Sequence, residues 1–333
     1  MLSGLWRLGY QSFHPPPEPT ASFAGKTILI TGANTGLGLE ASVKFVALGV
    51  SSLIIGCRNA ERGQKAKEVI EQRTQRTGIV QIWPLDMGNF KSVKEFADRV
   101  NKEVVRLDSA VLNAGSLQRA YKVSPDGWEE TLQVNTLSTV LLGLLLLPKL
   151  RANSTLDDPA HLSFVSSGSH MLVKPERLRT DGNLLEHLSD EARFIGQSQY
   201  AISKLLLEFA VKNIANRVRQ DNGQIDVIVN SMSPGFCRSG LGRQFNKFYE
   251  RWLMIPFYWI FARTTEEGSR SLVNVTLQGA EIHGKFWNEN HYPDDKPTSL
   301  TRTEEGLEFQ NKAWGEMIEV LERVSPEVKE LAS

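Results

Sequence analysis

The sequence predicts an α/β fold, a single doubly wound parallel sheet with helices on both faces. Short apolar runs rich in β-branched residues alternate with single amphipathic stretches along most of the chain. A glycine-rich turn follows the first of these runs and opens the first helix. The chain has 333 residues, but it shows no internal repeat and no second alternating block after a linker, so we expect one domain instead of two.

The predicted strands are short, mostly apolar runs rich in β-branched residues, which indicates a parallel sheet covered on both faces. They are Lys26–Thr31, Ser52–Gly56, Val80–Trp83, Ser109–Leu112, His161–Val165, Ile225–Val229 and Gly284–Trp287. One helix is predicted in each of several gaps between them: Leu39–Leu48, Glu61–Gln72, Lys91–Val105, Trp128–Leu147 and Tyr200–Arg217. The most apolar run, Leu137–Leu147, is too short to cross a bilayer, which takes about 20 residues. We expect it to be a buried core helix that ends at Pro148.

Composition excludes several classes of protein. The chain has 38 Lys and Arg residues against 38 Asp and Glu residues, so it lacks the excess of positive charge that nucleic-acid binding requires. The two cysteines, Cys57 and Cys237, cannot build a disulfide framework, which favours a reducing compartment. Gly4, Arg7 and Gly9 interrupt the N-terminal apolar stretch, so no secretory signal is expected. A cytoplasmic protein without a transmembrane segment is the prediction.

The turn Thr31–Gly38 has glycines at the spacing Gly-x3-Gly-x-Gly, directly after the first strand. Backbone without Cβ atoms can approach a pyrophosphate there, and the following helix N-terminus offers free N–H groups. The second strand runs into Arg58 and lacks the acidic residue that usually binds the ribose 2′-hydroxyl of NAD. Because Arg58 can pair with a 2′-phosphate, NADP(H) is the predicted cofactor.

From about Lys26 to Trp287 the chain resembles the short-chain dehydrogenase/reductase family, whose sheet is of the Rossmann type. Seven motifs occur in the family's order. They are the glycine turn Thr31–Gly38, Asp86 after the third strand, Asn113-Ala114-Gly115 after the fourth, Asn135 in the long helix, Ser166-Ser167 after the fifth strand, Tyr200-Ala-Ile-Ser-Lys204, and Pro234-Gly235-Phe-Cys-Arg-Ser239. Cys57-Arg58-Asn59, the long gap between Ser167 and Tyr200 and the proline-rich N-terminus are similar to the retinol-dehydrogenase-like and fungal secondary-metabolite branches.

The resemblance implies which residues bind the cofactor and which act in catalysis. The implied cofactor-binding residues are Gly32, Asn34, Thr35, Gly36, Leu37, Gly38, Arg58, Asp86, Met87, Asn113, Ala114, Gly115, Tyr200, Lys204, Pro234, Gly235, Cys237 and Ser239. The implied catalytic residues are Ser167, Tyr200, Lys204 and Asn135, of which Asn135 would hold a proton-relaying water next to Lys204.

Tyr200 and Lys204 are four positions apart on a predicted helix, so their side chains project from one face. A free tyrosine has a pKa of about 10, and a nearby ammonium together with an oxidised nicotinamide is expected to lower it. Tyr200 would then exchange a proton with the substrate, and Ser167 would donate a hydrogen bond to its oxygen. A second Tyr-x3-Lys pair, Tyr292 to Lys296, contains a proline and two acids, so we do not expect a helix there.

Three additions to the predicted Rossmann-type domain account for the length of the chain. Residues 1–24 form a proline-rich arm, and residues 25–333 form the domain, with a substrate loop at about 236–263 and a C-terminal extension. Ser167 and Tyr200 are 33 positions apart, which suggests an enlarged loop at the edge of the site. The aromatic segment 245–261 is predicted to be an apolar lid over the substrate, with plain core, a dimer contact and a membrane-touching face as alternatives.

The predicted activity is an NADPH-dependent ketoreductase or alcohol dehydrogenase. Its substrate would be a lipophilic small molecule, a carbonyl compound or an alcohol, with a bulky and mostly apolar skeleton of polyketide, terpenoid, steroid or retinoid kind. The alternatives are a net non-redox step on the same fold (epimerase, dehydratase or cyclase) and a non-enzymatic nucleotide sensor, which would not need Ser167, Tyr200 and Lys204. No metal site is predicted, since the six histidines lack metal-ligand spacing, and His170 is expected in a solvated loop. The sequence also leaves two possibilities open, that the protein forms a homodimer and that it contacts a membrane peripherally.

Overall fold

The computed structural model of the chain describes residues 10–220, 222–238, 261–288 and 299–333. Its strands are β1 (Thr27–Thr31), β2 (Ser52–Cys57), β3 (Val80–Pro84), β4 (Ser109–Leu112), β5 (Ala160–Val165), β6 (Val227–Ser233) and β7 (Phe286–Asn288). All seven pair in parallel in the order β3-β2-β1-β4-β5-β6-β7. The strand order reverses between β1 and β4, which is where a doubly wound sheet opens a ligand crevice at its carboxyl edge. The predicted fold class is confirmed.

The helices of the described residues pack on both faces of this sheet. They are α1 (Gly36–Ala47), α2 (Ala60–Thr74), α3 (Phe90–Glu103), α4 (Glu130–Asn153), α5 (Leu184–Ser189), α6 (Gly196–Arg217), α7 (Thr265–Asn274), α8 (Glu304–Val324) and α9 (Val328–Leu331). One apolar core joins α3, α4, α6 and α8 to one face of the sheet. A second core joins α1, α2 and α7 to the other face. Both faces are therefore covered, which explains why the central strands are mostly apolar.

The helix α4 runs further than the sequence predicted. Pro148 lies inside it instead of ending it, and the helix continues to Asn153. A proline removes one main-chain donor, but the burial of Leu144–Leu147 and Leu150 on both sides of it keeps the helix together. By length and composition the whole helix α4, which is longer than the run Leu137–Leu147, could cross a membrane. However, 89% of its most apolar 18-residue stretch is buried inside the protein, which confirms the expected core helix.

Two other element boundaries differ from the prediction in ways that affect the site. The helix α6 begins at Gly196, four residues before Tyr200, so Tyr200 lies within its first turns and not at its end. The strand β6 runs from Val227 to Ser233, whereas the prediction was Ile225–Val229. The polar residues Asn230, Ser231 and Ser233 hid its second half from a pattern based on apolar runs.

Candidate active site

Three side chains of the predicted catalytic set meet at the carboxyl ends of β5 and β6. Lys204 is 4% exposed, and its Nζ donates a hydrogen bond of 2.8 Å to the main-chain oxygen of Val165, the last residue of β5. The same Nζ lies 5.9 Å from the centre of the Tyr200 ring, one helical turn away on α6. Ser167 follows the end of β5 and lies close enough to the Tyr200 side chain to lower its pKa. The geometry thus brings Ser167, Tyr200 and Lys204 together, as the spacing predicted.

The hydroxyl group of Ser167 is oriented by the turn that follows it. Its Oγ accepts a hydrogen bond of 3.2 Å from the main-chain N–H of Ser169, at the start of a short 3-10 helix, Gly168–Leu172. Because this contact uses the oxygen as an acceptor, the O–H of Ser167 is left to donate. A donor at this position can stabilise negative charge on a substrate oxygen.

Asn135 lies at a local break in the regular α4 helix. Residues Gln133–Leu137 form a π-helical turn, and single π turns of this kind are frequent at functional sites. The Oδ1 of Asn135 accepts from the main-chain N–H of Ser116 at 2.7 Å, and its Nδ2 donates to the oxygen of Ser116 and to the Oγ of Ser203. A Cβ on Gly115 would lie 3.4 Å from this Oδ1 and 4.0 Å from Lys204 Nζ. Asn135 and the Lys204 ammonium therefore both lie next to Gly115.

The protein alone shifts the pKa values of Tyr200 and Lys204 in opposite directions. Burial raises the pKa of Tyr200 to about 12, and the hydrogen bond with Ser167 opposes that rise. Burial lowers the pKa of Lys204 to about 8, opposed by the nearby carboxylate of Glu208. The sequence predicted that Lys204 and an oxidised nicotinamide together lower the pKa of Tyr200; within the protein itself desolvation outweighs the neighbouring groups and raises it. Tyr200 therefore starts as a protonated phenol, which is the form that a proton donor needs.

The glycine turn has the geometry that a dinucleotide pyrophosphate requires. Gly36 has φ +62°, and a Cβ built on it would have no atom within 4 Å, so open space lies beside the backbone there. Thr35 precedes α1 without a side-chain cap, and the first turn of α1 holds no acidic residue, so its N–H groups point to an uncontested anion site. These residues fit a bound dinucleotide, with the phosphates at the N-terminus of α1.

The residues after β4 hold the glycine turn in shape. Asn113 donates from Nδ2 to the main-chain oxygens of Thr31 and Gly32, and the N–H of Ala114 donates to the Thr31 hydroxyl. Gly32 has φ +66°, and a Cβ on it would lie 2.9 Å from the Cα of Ala114. A glycine is needed at position 32 for both reasons. Asn113 and Ala114 thus support the predicted cofactor site from beneath.

The predicted adenine end of the site lies at the ends of β2 and β3. The side chain of Arg58 is 71% exposed, and its guanidinium lies 3.9 Å from a carboxylate oxygen of Asp86. Arg58 is therefore accessible to a phosphate group that would compete for it. The Met87 side chain packs in the apolar core, so this predicted cofactor residue can offer only its main-chain groups to a ligand.

The loop after β6 holds the last predicted cofactor residues. Pro234 and Gly235 follow the strand, and the Sγ of Cys237 lies 2.4 Å from where a Cβ on Gly268 would be, with Leu37 of the glycine turn close by. Ser239, the aromatic segment 245–261 apart from Phe261, and the pair Tyr292 and Lys296 lie outside the described residues. The predictions for them stay predictions.

Sequence reasoning missed two buried residues next to the catalytic group. Glu208 is 2% exposed, lies one helical turn beyond Lys204 and accepts a 2.7 Å hydrogen bond from Ser231. Its spacing of four from Lys204 was the signal that could have found it. His170 is 1% exposed, so the expected solvated histidine was wrong. Its Nδ1 contacts the oxygen of Ser167 at 2.7 Å and its ring packs edge-on against Phe286, because the segment folds back over β7.

No group of three or more His, Cys, Asp or Glu side chains is arranged to hold a metal ion within residues 10–220, 222–238, 261–288 and 299–333. The site does bring together the hydroxyl, phenol and ammonium groups of Ser167, Tyr200 and Lys204. A dinucleotide-binding turn beside such groups, on a doubly wound sheet, defines an α/β oxidoreductase.

Comparison with known proteins narrows this class to one family. The family profile described as short chain dehydrogenase matches residues 26–157. The short-chain dehydrogenase/reductase phmF of Phaeosphaeria nodorum is 43% identical over 325 residues, which cover 97% of this chain and 94% of that protein. The short-chain dehydrogenase/reductase ffsI of Aspergillus flavipes is 42% identical over 337 residues, covering 100% and 95%. The chain belongs to the short-chain dehydrogenase/reductase family, and the resemblance is confirmed.

Solved structures show the same fold at lower sequence identity. An uncharacterized protein from Mycobacterium paratuberculosis superposes with a TM-score of 0.63 at 20% identity, covering 91% of this chain and 96% of that one. The RhlG/NADP active-site complex of Pseudomonas aeruginosa superposes with a TM-score of 0.60 at 21% identity, covering 82% and 97%. At these identities the likeness concerns the fold alone.

Proposed function

We propose that this protein is an NADPH-dependent oxidoreductase that interconverts the carbonyl and alcohol forms of a bulky, mostly apolar substrate. The observation that carries the proposal is the convergence of Ser167, Tyr200 and the buried Lys204 at the carboxyl edge of the sheet. Membership of the short-chain dehydrogenase/reductase family supports a redox reaction over the net non-redox alternative. The protein would act in the cytoplasm, in secondary metabolism as its resemblance to that fungal branch implies.

Each residue has a defined task in the reduction of a carbonyl group. A bound NADPH supplies the hydride that reaches the carbonyl carbon. Tyr200 donates its phenolic proton to the carbonyl oxygen, and its raised pKa keeps that proton in place until the oxygen becomes basic. The O–H of Ser167 donates a hydrogen bond to the same oxygen as negative charge develops, an effect commonly of about 3 kcal/mol.

Lys204 is proposed to stabilise Tyr200 after its proton has been transferred to the substrate, so that the phenol can be protonated again. Its ammonium uses one N–H for the oxygen of Val165, which leaves two N–H donors for a ribose hydroxyl of the cofactor. A positive charge so near stabilises the phenolate that remains after the proton has left. Asn135, which like this ammonium lies next to Gly115, would hold the water that returns a proton to it.

The preference for NADPH is supported by the end of β2. Arg58 follows Cys57, no acidic residue occupies the positions next to it, and its exposed guanidinium lies 3.9 Å from a carboxylate oxygen of Asp86. A guanidinium binds a phosphate with two parallel hydrogen bonds and gives little to a ribose hydroxyl. The RhlG protein of Pseudomonas aeruginosa, which shares this fold, forms an active-site complex with NADP, and that is consistent with the proposal.

An apolar substrate is supported by the segments that flank the catalytic residues. Leu172 follows Ser167 by five positions and is 78% exposed, and Ile195 precedes Tyr200 by five positions and is 57% exposed. Exposed apolar side chains on both segments that flank the catalytic residues in sequence would suit a pocket lined mainly by apolar groups. We therefore propose a bulky ketone or alcohol, in preference to a small charged aldehyde.

The proposed activity is tested by replacing the phenol. Tyr200→Phe removes the proton donor and keeps the ring, so NADPH-linked turnover of a ketone panel should fall at least about a thousandfold. NADPH binding should stay within about twofold, because Ser167, Lys204 and the glycine turn are untouched. Tyr121→Phe, which removes the phenol that donates to the oxygen of Ser189, is the matched control and should keep turnover.

Two outcomes would contradict the proposal. Turnover that survives in Tyr200→Phe would remove the phenol from the mechanism. A wild-type protein that converts a panel substrate without consuming NADPH in equal amount would point to the net non-redox alternative.

A further inference from the structure

The N-terminal arm (residues 1–24, described from Tyr10) is fastened to the body of the protein. Gln11 is 4% exposed, although it lies before the first strand. Asn274 on α7 donates to the oxygen of Pro17 at 2.8 Å, and Arg270 donates to the oxygen of Pro16 and pairs with Glu18 at 3.0 Å. A prolyl segment of this kind is stiff and extended, so it loses little conformational freedom when it docks.

Arg263 joins this arm to the loop after β6. It is 2% exposed, and it lies two residues before α7 begins. Its Nε donates to the oxygen of Gln11 at 3.0 Å, its Nη2 to the oxygen of His14 at 3.0 Å, and its Nη1 to the oxygen of Pro234 at 3.2 Å. One buried guanidinium therefore holds two carbonyls of the arm and one carbonyl of the loop.

The loop Pro234–Arg238, called here the β6 loop, is also held by the main chain of Arg263. The Arg263 N–H donates to the oxygen of Phe236, and the Arg238 N–H donates to the oxygen of Arg263. Gly235 has φ +80°, and a Cβ on it would lie 2.8 Å from Arg263 Nη1 and 3.1 Å from Gln11 Oε1. The arm thus packs directly against the backbone of the β6 loop.

The position of the β6 loop in the fold decides what such packing can affect. The strand β6 pairs with β5, whose carboxyl end leads to Ser167, so the loop lies at the crevice edge next to the catalytic groups. Further along, Cys237 packs against Gly268 and Leu37, which belongs to the glycine turn. The nicotinamide donates the hydride, so it has to lie beside Tyr200. The nicotinamide half of the cofactor therefore lies between the glycine turn and Tyr200. The β6 loop borders that half and not the adenine half at Arg58.

We propose that the N-terminal arm is a working part of the nicotinamide half of the cofactor site, and that Arg263 is the positioning residue that couples the two. The inference rests on the nicotinamide cofactor of the proposed function. Without the arm, Arg263 loses two of its three carbonyl partners described above, and the β6 loop loses the packing of Gln11 behind Gly235. Binding NADPH then has to order the loop, so part of the binding free energy is lost.

The test compares a whole cofactor with a ligand that lacks the nicotinamide half. A chain that begins at Thr20 after an initiator Met should bind NADPH about tenfold more weakly than the full chain, measured by calorimetry. Binding of 2′,5′-ADP, which reaches only Arg58 and the glycine turn, should change by less than about twofold. Equal weakening of both ligands would show general destabilisation and overturn the proposal, as would unchanged binding of both.

Point variants keep the test decisive if the shortened chain does not fold. Arg263→Met should weaken NADPH selectively, Arg263→Lys should restore part of the loss, and combining Arg263→Met with the deletion should cost no more than the deletion alone. Arg270→Met is the matched control, because Arg270 contacts the arm at Pro16 and Glu18 without touching the β6 loop. Arg270→Met should leave the ratio of the two affinities unchanged, and a selective NADPH loss there would overturn the role of Arg263.

A failure of the coupling between the arm and the cofactor site can be told apart from a failure of the proposed function. If the wild type binds NADH instead of NADPH, the same comparison is made with NADH and ADP, and the coupling is still measured. If the wild type turns over NADPH but Arg263→Met and the deletion bind it normally, only the coupling fails.

Discussion

At the scale of single residues, burial sets the charge states of the catalytic groups before any ligand arrives. Desolvation disfavours charge, so it raises the pKa of Tyr200 to about 12 and lowers that of Lys204 to about 8. The neutral phenol is ready to donate, while the ammonium is only marginally stable. Glu208, buried one turn beyond Lys204, works in the opposite direction and helps to keep the charge on Lys204.

The pKa of Lys204 predicts how the reduction depends on pH. A lysine is charged below its pKa, so the ammonium is lost as the pH rises through about 8, and the rate of NADPH-linked reduction should fall there. Lys204→Arg keeps the positive charge at all accessible pH values, so the variant should be slower overall but lack the alkaline fall. The measurement is kcat/KM between pH 6 and 10. Lys212→Arg, two turns further along α6, is the control and should keep the wild-type profile. A fall above pH 8 that persists in Lys204→Arg would assign it to another group.

Arg58 predicts the cofactor preference. Arg58→Ala removes the group proposed to pair with the 2′-phosphate, so the KM for NADPH should rise by about tenfold to a hundredfold, while that for NADH should change by less than about threefold. Arg62→Ala, an exposed arginine on the first turn of α2, is the control and should leave both constants unchanged. Equal effects of Arg58→Ala on the two cofactors would contradict the assignment.

At the scale of elements, the glycine turn contains two glycines, Gly32 and Gly36, that are needed for different reasons. Gly32 and Gly36 both have a positive φ, at +66° and +62°, so an alanine is strained at either position. At Gly32 the Cβ would also lie 2.9 Å from the Cα of Ala114, a backbone atom that cannot move aside. At Gly36 it would have no protein atom within 4 Å.

This difference predicts opposite outcomes for two equivalent substitutions. Gly32→Ala should lower the free energy of unfolding by about 1–3 kcal/mol more than Gly36→Ala does, because strain and a backbone clash add. Gly36→Ala should instead cause the larger loss of NADPH affinity, since its Cβ would enter the proposed pyrophosphate site. Urea denaturation and calorimetry measure the two effects. The interpretation of the turn fails if Gly36→Ala binds NADPH as the wild type does.

The elements that the sequence predicted well are those whose physics is local. The glycine turn and the Tyr200–Lys204 pair depend on spacing along one segment, and both lie where expected. The ends of α4 and β6 were wrong, because Pro148 is tolerated by burial around it and Asn230 and Ser231 are covered by neighbouring elements. The prediction that His170 lies in a solvated loop was wrong for the same reason. Tertiary packing decided these positions, and a single segment does not contain that information.

At the scale of the whole molecule, the additions to the Rossmann-type core pack on one another. The segment between Ser167 and Tyr200 contains α5, and the C-terminal extension contains α8. The carboxylate of Glu316 on α8 accepts hydrogen bonds of 2.9 and 2.8 Å from the N–H groups of Leu184 and Leu185, the first residues of α5. Lys312 donates to the oxygen of Thr180 in the same segment. The C-terminal helix therefore supports the enlarged segment that leads to the Tyr200 helix.

This support predicts a local effect of one distant carboxylate. Glu316→Ala removes the carboxylate that accepts from the first two N–H groups of α5, while the N-cap residue Asn183 stays in place. Losing such a contact costs about 1 kcal/mol, which corresponds to about fivefold faster amide exchange where the helix opens locally. Hydrogen exchange should therefore speed up in Leu184–Ser189 and stay unchanged in β1 and β4. Glu319→Ala, an exposed residue on the same helix, should leave both regions as they are. If the enlarged segment borders the substrate, as its place between Ser167 and Tyr200 suggests, Glu316→Ala should also raise the KM for a bulky ketone while the affinity for NADPH stays the same. Uniformly faster exchange across the sheet would show that α8 stabilises the fold as a whole, and would contradict a support confined to α5.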